Sequence, residues 1–345
     1  MLDFYKNKKI LITGSSGFVG SWLTLTLNEI GATLYGISLE PNTSPSLFKL
    51  LKLENKINQK YIDICDIKNL DKAIKDISPD IVFHLAAQPL VRESYSKIIE
   101  TFNTNVMGTL NILESCKKLD TKINVVCITT DKCYENDEYG ERFKESDPLG
   151  GKDPYSASKA CTEIVTKSHA LSFKKLKLCT ARAGNIIGGG DWAKDRIITD
   201  VVESIKKKED IVIRSPKAIR PWQHVIDVVN GYLKLGIYNE DKEELFNSFN
   251  FGPLEQNEIN VEALTKKFLL NYKSNNSKIV LDNNQTFPES QILRLDSSKS
   301  KNILDWEPLM NIDITVKETA LWYEAFYSDK DIYEFTLDQI KSYLN

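Results

Sequence analysis

Lys9-Ile10-Leu11-Ile12-Thr13-Gly14-Ser15-Ser16-Gly17-Phe18-Val19-Gly20 is the stretch whose reading decides the fold. A short apolar run stops at a glycine, and a helical pattern then runs from Phe18 to Ile30, closed by Gly31. Between a strand and a helix, the three glycines have separate uses. Gly14 gives a tight turn, Gly17 lets a pyrophosphate come close, and Gly20 lets the helix pack on the sheet. With Ser16, Phe18 and Val19 they form a cradle where unpaired helix N–H groups and a partial positive charge face the phosphates. A turn with a packing glycine is the plainer alternative; the strand-turn-helix setting favours nucleotide binding.

Outward from this unit, strand and helix alternate. Strands are expected at Leu34–Ser38, Lys60–Asp63, Ile81–Leu85, Asn124–Thr129 and Lys177–Ala181. Helices are expected at Asn69–Ile77, at about 98–118, and from Asp153-Pro154, an N-cap followed by a first-turn proline. Right-handed crossovers then dictate an α/β, Rossmann-like, doubly wound parallel sheet. After Gly188 the rhythm loosens into shorter strands (Ile211–Arg214, Phe249–Phe251), helices near 225–237 and 260–271, and closing amphipathic helices at Thr315–Tyr327 and Thr336–Leu344. Asn239–Glu244 and Lys273–Lys278 read as surface turns. The division expected is a cofactor-binding domain over 1–187 and a smaller, mixed α/β substrate domain over 188–345, with some exchange of chain between them.

Glu40, at the end of the second strand, is placed to accept from both ribose hydroxyls and to repel a 2′-phosphate, which favours NAD over NADP. Asp63, at the end of the third, either binds the adenine amino group or caps its own turn.

The bulk composition excludes several classes. In 345 residues, 41% hydrophobic and 27% charged content is ordinary for a globular protein. A net charge of −3 without a basic block argues against a nucleic-acid partner. No apolar stretch approaches bilayer length, and the first residues lack a signal core, so no membrane association and a cytoplasmic location are expected. Six cysteines without a Cys-x-x-Cys pair read as reduced thiols. Three scattered histidines make a metal site unexpected, and His84 reads as a satisfied structural residue.

Two clusters carry chemistry. Tyr155-Ser156-Ala157-Ser158-Lys159 puts a phenol and an ammonium one turn apart on a helix face. A cation there is expected to lower the phenol from its ordinary value near 10 towards neutrality, so that Tyr155 takes a proton from an alcohol while a nicotinamide takes the hydride. Thr129-Thr130-Asp131-Lys132 leaves the end of the fifth expected strand, where such sheets bind ligands. Its acid and base beyond a hydroxyl make a proton-transfer set, or else a simple turn with a surface lysine.

The glycine loop, His84-Leu-Ala-Ala-Gln88, Asn105-Val-Met-Gly-Thr109 and Tyr155-x-x-x-Lys159 together resemble the extended short-chain dehydrogenase/reductase family. More narrowly, Ala87-Gln-Pro-Leu-Val-Arg92, Thr130-Asp-Lys-Cys-Tyr-Glu135, Arg182-Ala-Gly-Asn185, Gly188-Gly-Gly-Asp-Trp192 and Arg220-Pro-Trp-Gln-His224 are similar to its CDP-glucose 4,6-dehydratase subgroup. Most sugar-nucleotide 4,6-dehydratases carry Thr-Asp-Glu where this chain has Thr130-Asp-Lys132. One departure is the loop Ser15-Ser16-Gly17-Phe18-Val19, where the subgroup usually has His-Thr-Gly-Phe-Lys.

The resemblance implies an NAD-dependent 4,6-dehydration of a nucleoside diphosphate sugar, most closely CDP-D-glucose. Tyr155, Lys159 and Thr130 would act at C4, Asp131 as the acid, and Lys132 as the C5 base, or as a polariser of the ketone if another group takes that proton. It implies further cofactor contacts at Ile64, Leu85, Ala86, Ala87, Gln88, Asn105 and Thr129. For the substrate it implies Gln88, Arg92, Thr130, Asn185 and Gln223. A diphosphate calls for guanidinium partners, and Arg196, Arg220 and Arg294 are the candidates. Similar enzymes are homodimers or dimers of dimers through the helices near 98–118 and 154–172, and serve deoxysugar and cell-surface polysaccharide synthesis. Three alternatives stay open: a 4,6-dehydratase for a GDP-, dTDP- or UDP-linked sugar, a sugar-nucleotide epimerase, and a non-catalytic NAD-sensing protein.

Overall fold

Seven parallel strands make the central sheet: β1 (Lys9–Thr13), β2 (Thr33–Ser38), β3 (Asn58–Tyr61), β4 (Ile81–His84), β5 (Asn124–Ile128), β6 (Lys177–Ala183) and β7 (Phe246–Phe251). Their order is β7-β6-β5-β4-β1-β2-β3. The computed structural model describes residues 2–241, 244–255, 258–273, 277–282 and 290–344. Strands apolar on both faces need cover on both sides, and side chains alternate between two cores. Ile10 and Ile12 of β1 join a core with Trp22, Leu25 and Val229, while Leu11 joins one with Leu70, Leu113 and Ala170. Helices Phe18–Ile30 and Val225–Asp241 therefore cover one face, and Ile67–Ile77, Gly108–Lys117 and Pro154–Phe173 the other. The doubly wound sheet expected from the alternation is present. The order reverses between β1 and β4, which opens a crevice at the carboxyl ends of the strands.

Several expected boundaries need correction. The third strand lies two residues earlier than Lys60–Asp63, paired to β2 from Asn58↔Tyr35 to Tyr61↔Ser38, which leaves Asp63 beyond the strand end. The single helix expected over 98–118 is three pieces: Ile98–Phe102, a π-helical turn Asn103–Met107, and Gly108–Lys117. At that turn the Asn105 carbonyl accepts hydroxyls from Thr109 (2.6 Å) and Thr162 (2.9 Å). A short helix, Val91–Ser96, precedes it without having been expected.

The short strand expected at Phe249–Phe251 is longer and elsewhere. Phe246–Phe251 returns from the second half to pair with β6, from Phe246↔Leu178 to Phe251↔Ala183. Helix Val225–Asp241 runs past the turn expected from Asn239, and residues 242–243 and 274–276 of the two expected turns lie outside the described residues. Among the described residues the second half also contributes three two-stranded pieces: Ile211–Ile213 with Ile279–Leu281, Ile219–Arg220 with Ile259–Asn260, and Gln223–His224 with Ile186–Ile187. The closing helices are Ile312–Tyr327, capped by Asn311 onto Ile314 N–H (2.9 Å), and Ile332–Leu344.

Candidate active site

The glycine turn has the geometry the spacing predicts. Gly14 has φ +72°, and a Cβ there would lie 2.7 Å from the Ala86 nitrogen; a Cβ at Gly20 would overlap the Gly14 carbonyl oxygen. Gly17 is the N-cap of helix Phe18–Ile30 and offers no capping side chain, so the first N–H groups face outward towards any anion placed there. Gly14, Ser16, Gly17, Phe18, Val19 and Gly20 line one end of a cavity of about 870 Å³.

The candidate reacting groups stand on the same cavity. Asp153 caps helix Pro154–Phe173 by accepting the Ser156 N–H at 2.9 Å and the Ser156 hydroxyl at 2.5 Å. The Tyr155 N–H donates to Ser94 Oγ (3.1 Å), which ties the helix to Val91–Ser96. From this helix Tyr155 and Lys159 reach the cavity, and from the end of β5 come Thr129, Thr130, Asp131 and Lys132. Phenol and phosphate cradle thus share one space.

Their electrostatics correct one expectation. Burial pushes the Tyr155 phenol up to about 12, opposed chiefly by its hydrogen bond with Thr130. Lys159 is not among the main influences on it. Its Nζ donates to the Ile128 carbonyl at 3.0 Å, and burial lowers its own pKa to about 8. Desolvation therefore outweighs the expected cation effect. Burial also raises Asp131, more than Lys132, Thr130 and Arg220 lower it. Its Oδ1 accepts the Thr130 hydroxyl at 3.0 Å, whereas Oδ2 is buried with no partner.

Behind the loop lies a buried pair that the sequence reading missed. Glu163, one turn beyond Lys159, accepts hydroxyls from Thr129 and from Thr180 (2.7 Å) and the Arg182 guanidinium at 2.8 Å. Arg182 also donates to Tyr134 Oη (2.9 Å). The pair fixes the catalytic helix against β5 and β6. The four-residue step Tyr155, Lys159, Glu163 is the signal that points to it.

Glu40, Asp63, Ile64, Leu85, Ala86 and Ala87 also line the cavity, as do Arg92, Asn185, Arg196 and Arg220. Asp63 Oδ1 accepts the Cys65 N–H at 2.8 Å, the turn-capping role, while still lining the wall. Four expected contacts are placed elsewhere. Gln88 and Asn105 are buried off the wall, joined by Gln88 N–H to Asn105 Oδ1 (2.8 Å), with Asn105 Nδ2 donating to Ser158 Oγ (2.8 Å). Their polar groups are consumed in holding the catalytic helix to the loop after β4. Gln223 Nε2 donates to the Phe251 carbonyl (2.7 Å), and Arg294 pairs with Glu258 (2.8 Å) and Gly140 O (2.9 Å). Neither lines the cavity.

The far wall carries a charged group not foreseen: Arg214 bridges Asp195 (2.6 Å) and Asp200 (2.9 Å), and Arg92 lies 3.6 Å from Asp195. Asn185 Oδ1 and Trp222 Nε1 are buried there without partners, so a bound polar molecule is what would satisfy them. His84 is the structural residue expected, with Thr13 Oγ1 at 2.7 Å and Thr109 Oγ1 at 2.9 Å, and burial depresses it to about 3. No disulfide joins any of the six cysteines. Among the described residues no helix is long and apolar enough to cross a membrane, and no group of three His, Cys, Asp or Glu is placed to hold a metal.

A glycine cradle and a Tyr-Lys helix facing one cavity of a doubly wound sheet define the extended short-chain dehydrogenase/reductases. The chain belongs to the GDP-mannose 4,6 dehydratase family within them, whose model matches residues 11–319. It is 38% identical to CDP-glucose 4,6-dehydratase of Salmonella typhimurium, across 99% of this chain and 98% of that one. With human dTDP-D-glucose 4,6-dehydratase the identity is 27%, across 94% and 93%. Among solved structures, UDP-glucose 4-epimerase of Thermotoga maritima matches with a TM-score of 0.79 at 24% identity, covering 92% of this chain and 99% of that one. dTDP-glucose 4,6-dehydratase of Bacillus anthracis in complex with NAD gives 0.77 at 21%, covering 95% and 99%. At those identities the two structures bear on the fold alone.

Proposed function

We propose that this protein is an NAD-dependent nucleoside diphosphate sugar 4,6-dehydratase whose substrate is CDP-D-glucose. The observation that carries the reading is Asp131: a buried carboxyl with a raised pKa and an unpartnered oxygen, beside Thr130 and Lys132, on the wall shared by Tyr155 and the glycine cradle. An epimerase has no use for such an acid, and a non-catalytic sensor has no use for the set.

NAD fits the cradle, with Gly14–Gly20 at the pyrophosphate and Glu40 at the ribose, and when bound its nicotinamide supplies a hydride acceptor that later returns the hydride to C6. Tyr155 accepts the C4 hydroxyl proton in its phenolate form, which the positive charge of an oxidised nicotinamide alongside would favour against burial, and Thr130 aligns the same oxygen. The 4-ketone acidifies the C5 proton, which Lys132 removes or whose loss it assists by polarising the ketone. Asp131, whose carboxyl burial pushes towards the protonated form, gives its proton to the departing C6 hydroxyl, which leaves as water. A proton returned to C5 completes the 4-keto-6-deoxy sugar. Arg196, Arg220 and Asn185, which line the cavity, would take the diphosphate.

The 38% identical Salmonella typhimurium relative supports the cytidine nucleotide. Exposed Ile98, Ile99, Met107, Ile164, Leu171 and Phe173 support assembly as a dimer, or a dimer of dimers, through the helices that carry them. Cysteines joined by no disulfide fit the reducing cytoplasm, where the product would enter deoxysugar synthesis for cell-surface polysaccharide.

Incubation with a panel of CDP-, dTDP-, GDP- and UDP-linked glucose and GDP-mannose, followed by the base-induced ultraviolet absorbance of 4-keto-6-deoxy products, tests this. The expected result is signal with CDP-glucose; signal with another nucleotide alone reassigns the base, and none with any overturns the reaction.

A further inference from the structure

The turn from Gly14 to Gly20 contains no basic side chain, so its hold on a diphosphate depends on where its backbone is kept. Ser15, fully buried inside that turn, donates its hydroxyl to Gln59 Oε1 at 2.8 Å. The other end of the same amide, Gln59 Nε2, donates to Ser38 Oγ at 2.9 Å. Ser38 closes β2, two residues before Glu40, and Ser16 Oγ reaches the Leu39 carbonyl at 2.8 Å. One glutamine on β3 thus joins the phosphate turn to the strand end that presents the ribose-reading carboxylate.

The sequence makes room for it. Gly36 lies directly across from Gln59 in the β2–β3 register, and a Cβ there would overlap Gln59 Oε1 and lie 2.6 Å from Ser15 Oγ. The amide crosses the strand only because that position is bare. Ser15 and Ser38 are both buried, so each hydroxyl without Gln59 is a polar group with an unmet hydrogen bond.

We infer that Gln59 is a positioning residue for the dinucleotide, a clasp through Ser15 and Ser38 that sets the distance between the phosphate cradle and Glu40. Its place is the adenosine-diphosphate end, and it takes no part at the nicotinamide or the sugar. This rests on the reading of the cradle as an NAD site.

The test is calorimetric titration of NAD and of ADP-ribose into wild-type protein, Gln59→Met and Ser15→Ala. Methionine keeps the volume and removes the hydrogen bonds to Ser15 and Ser38, along with one from Gln59 Nε2 to the Lys60 carbonyl (3.2 Å). Loss of the clasp is expected to weaken both ligands about tenfold in either variant, on the scale of one buried hydrogen bond. The double variant is expected to be no weaker than either single one, because both break the same link. At saturating NAD, kcat should stay within about twofold of wild type, since the reacting groups are untouched. Wild-type binding with affinity unchanged in both variants overturns the clasp and leaves the NAD reading standing. Wild-type protein that binds neither ligand overturns both. A fall in kcat at saturating NAD as large as the fall in affinity also overturns it, because damage would then extend beyond the adenosine end.

Discussion

Replacing Lys159 with methionine is expected to stabilise the protein at neutral pH while ending turnover. The ammonium is 5% exposed, and burial moves its pKa from 10.5 to about 8 on folding. Between those values the folded chain binds fewer protons than the unfolded chain, so stability rises with pH across that window. Below pH 8 the penalty is present in full, roughly 3 kcal/mol at 1.36 kcal/mol per pKa unit. Methionine fills a similar volume and removes the penalty, but gives up the 3.0 Å bond to Ile128 O, which costs about 1 kcal/mol. The net gain is about 2 kcal/mol at pH 7, vanishing near pH 10, where the wild-type lysine has lost its proton in the fold. Urea denaturation of both proteins without added cofactor, at pH 7 and pH 10, measures it. A variant less stable than wild type at pH 7, or a difference of equal size at both pH values, refutes the reasoning.

Tyr155→Phe should lower kcat at least about a thousandfold by removing the proton acceptor, while NAD titration stays at wild-type affinity; a loss of binding of the same size would mean the variant is misfolded at the site. In Asp131→Asn the C4 oxidation should survive and the elimination fail, so substrate should generate the near-ultraviolet absorbance of reduced nicotinamide without 4-keto-6-deoxy product; normal product yield removes Asp131 as the acid. Lys132→Ala should slow solvent deuterium entry at C5 more than hydride removal at C4, and unchanged deuterium entry would pass the base role to another group. Gly189→Ala places a Cβ into the Trp322 ring and should cost about 2 kcal/mol or more in urea midpoint analysis; a neutral effect would show that the ring is free to move.

Local patterns read well from the chain alone. The glycine turn, the first helix and the Asp153-Pro154 start of the catalytic helix each carry their cause within a few residues. What the sequence concealed was partner choice. Gln88, Asn105, Gln223 and Arg294 have side chains suited to a ligand, yet each donates to the frame and none lines the cavity. Arg214, Asp195 and Asp200 come together from separate segments, and no spacing announces them. The Tyr155 phenol illustrates the same limit in energy: the four-residue step to Lys159 was legible, but the burial that outweighs it is a property of the whole cavity.

The return of Phe246–Phe251 to the edge beside β6 has a bearing on how the protein is made. A nascent chain of about two hundred residues already holds six of the seven strands, but β6 still has its outer hydrogen-bonding groups open to any passing strand. About fifty further residues, to Phe251, must leave the ribosome before that rim is covered, about three to ten seconds at ordinary elongation rates. A gene fragment ending at residue 187 should accordingly yield aggregates, and folding yield in a cell should depend on the helpers that shield that rim in the interval.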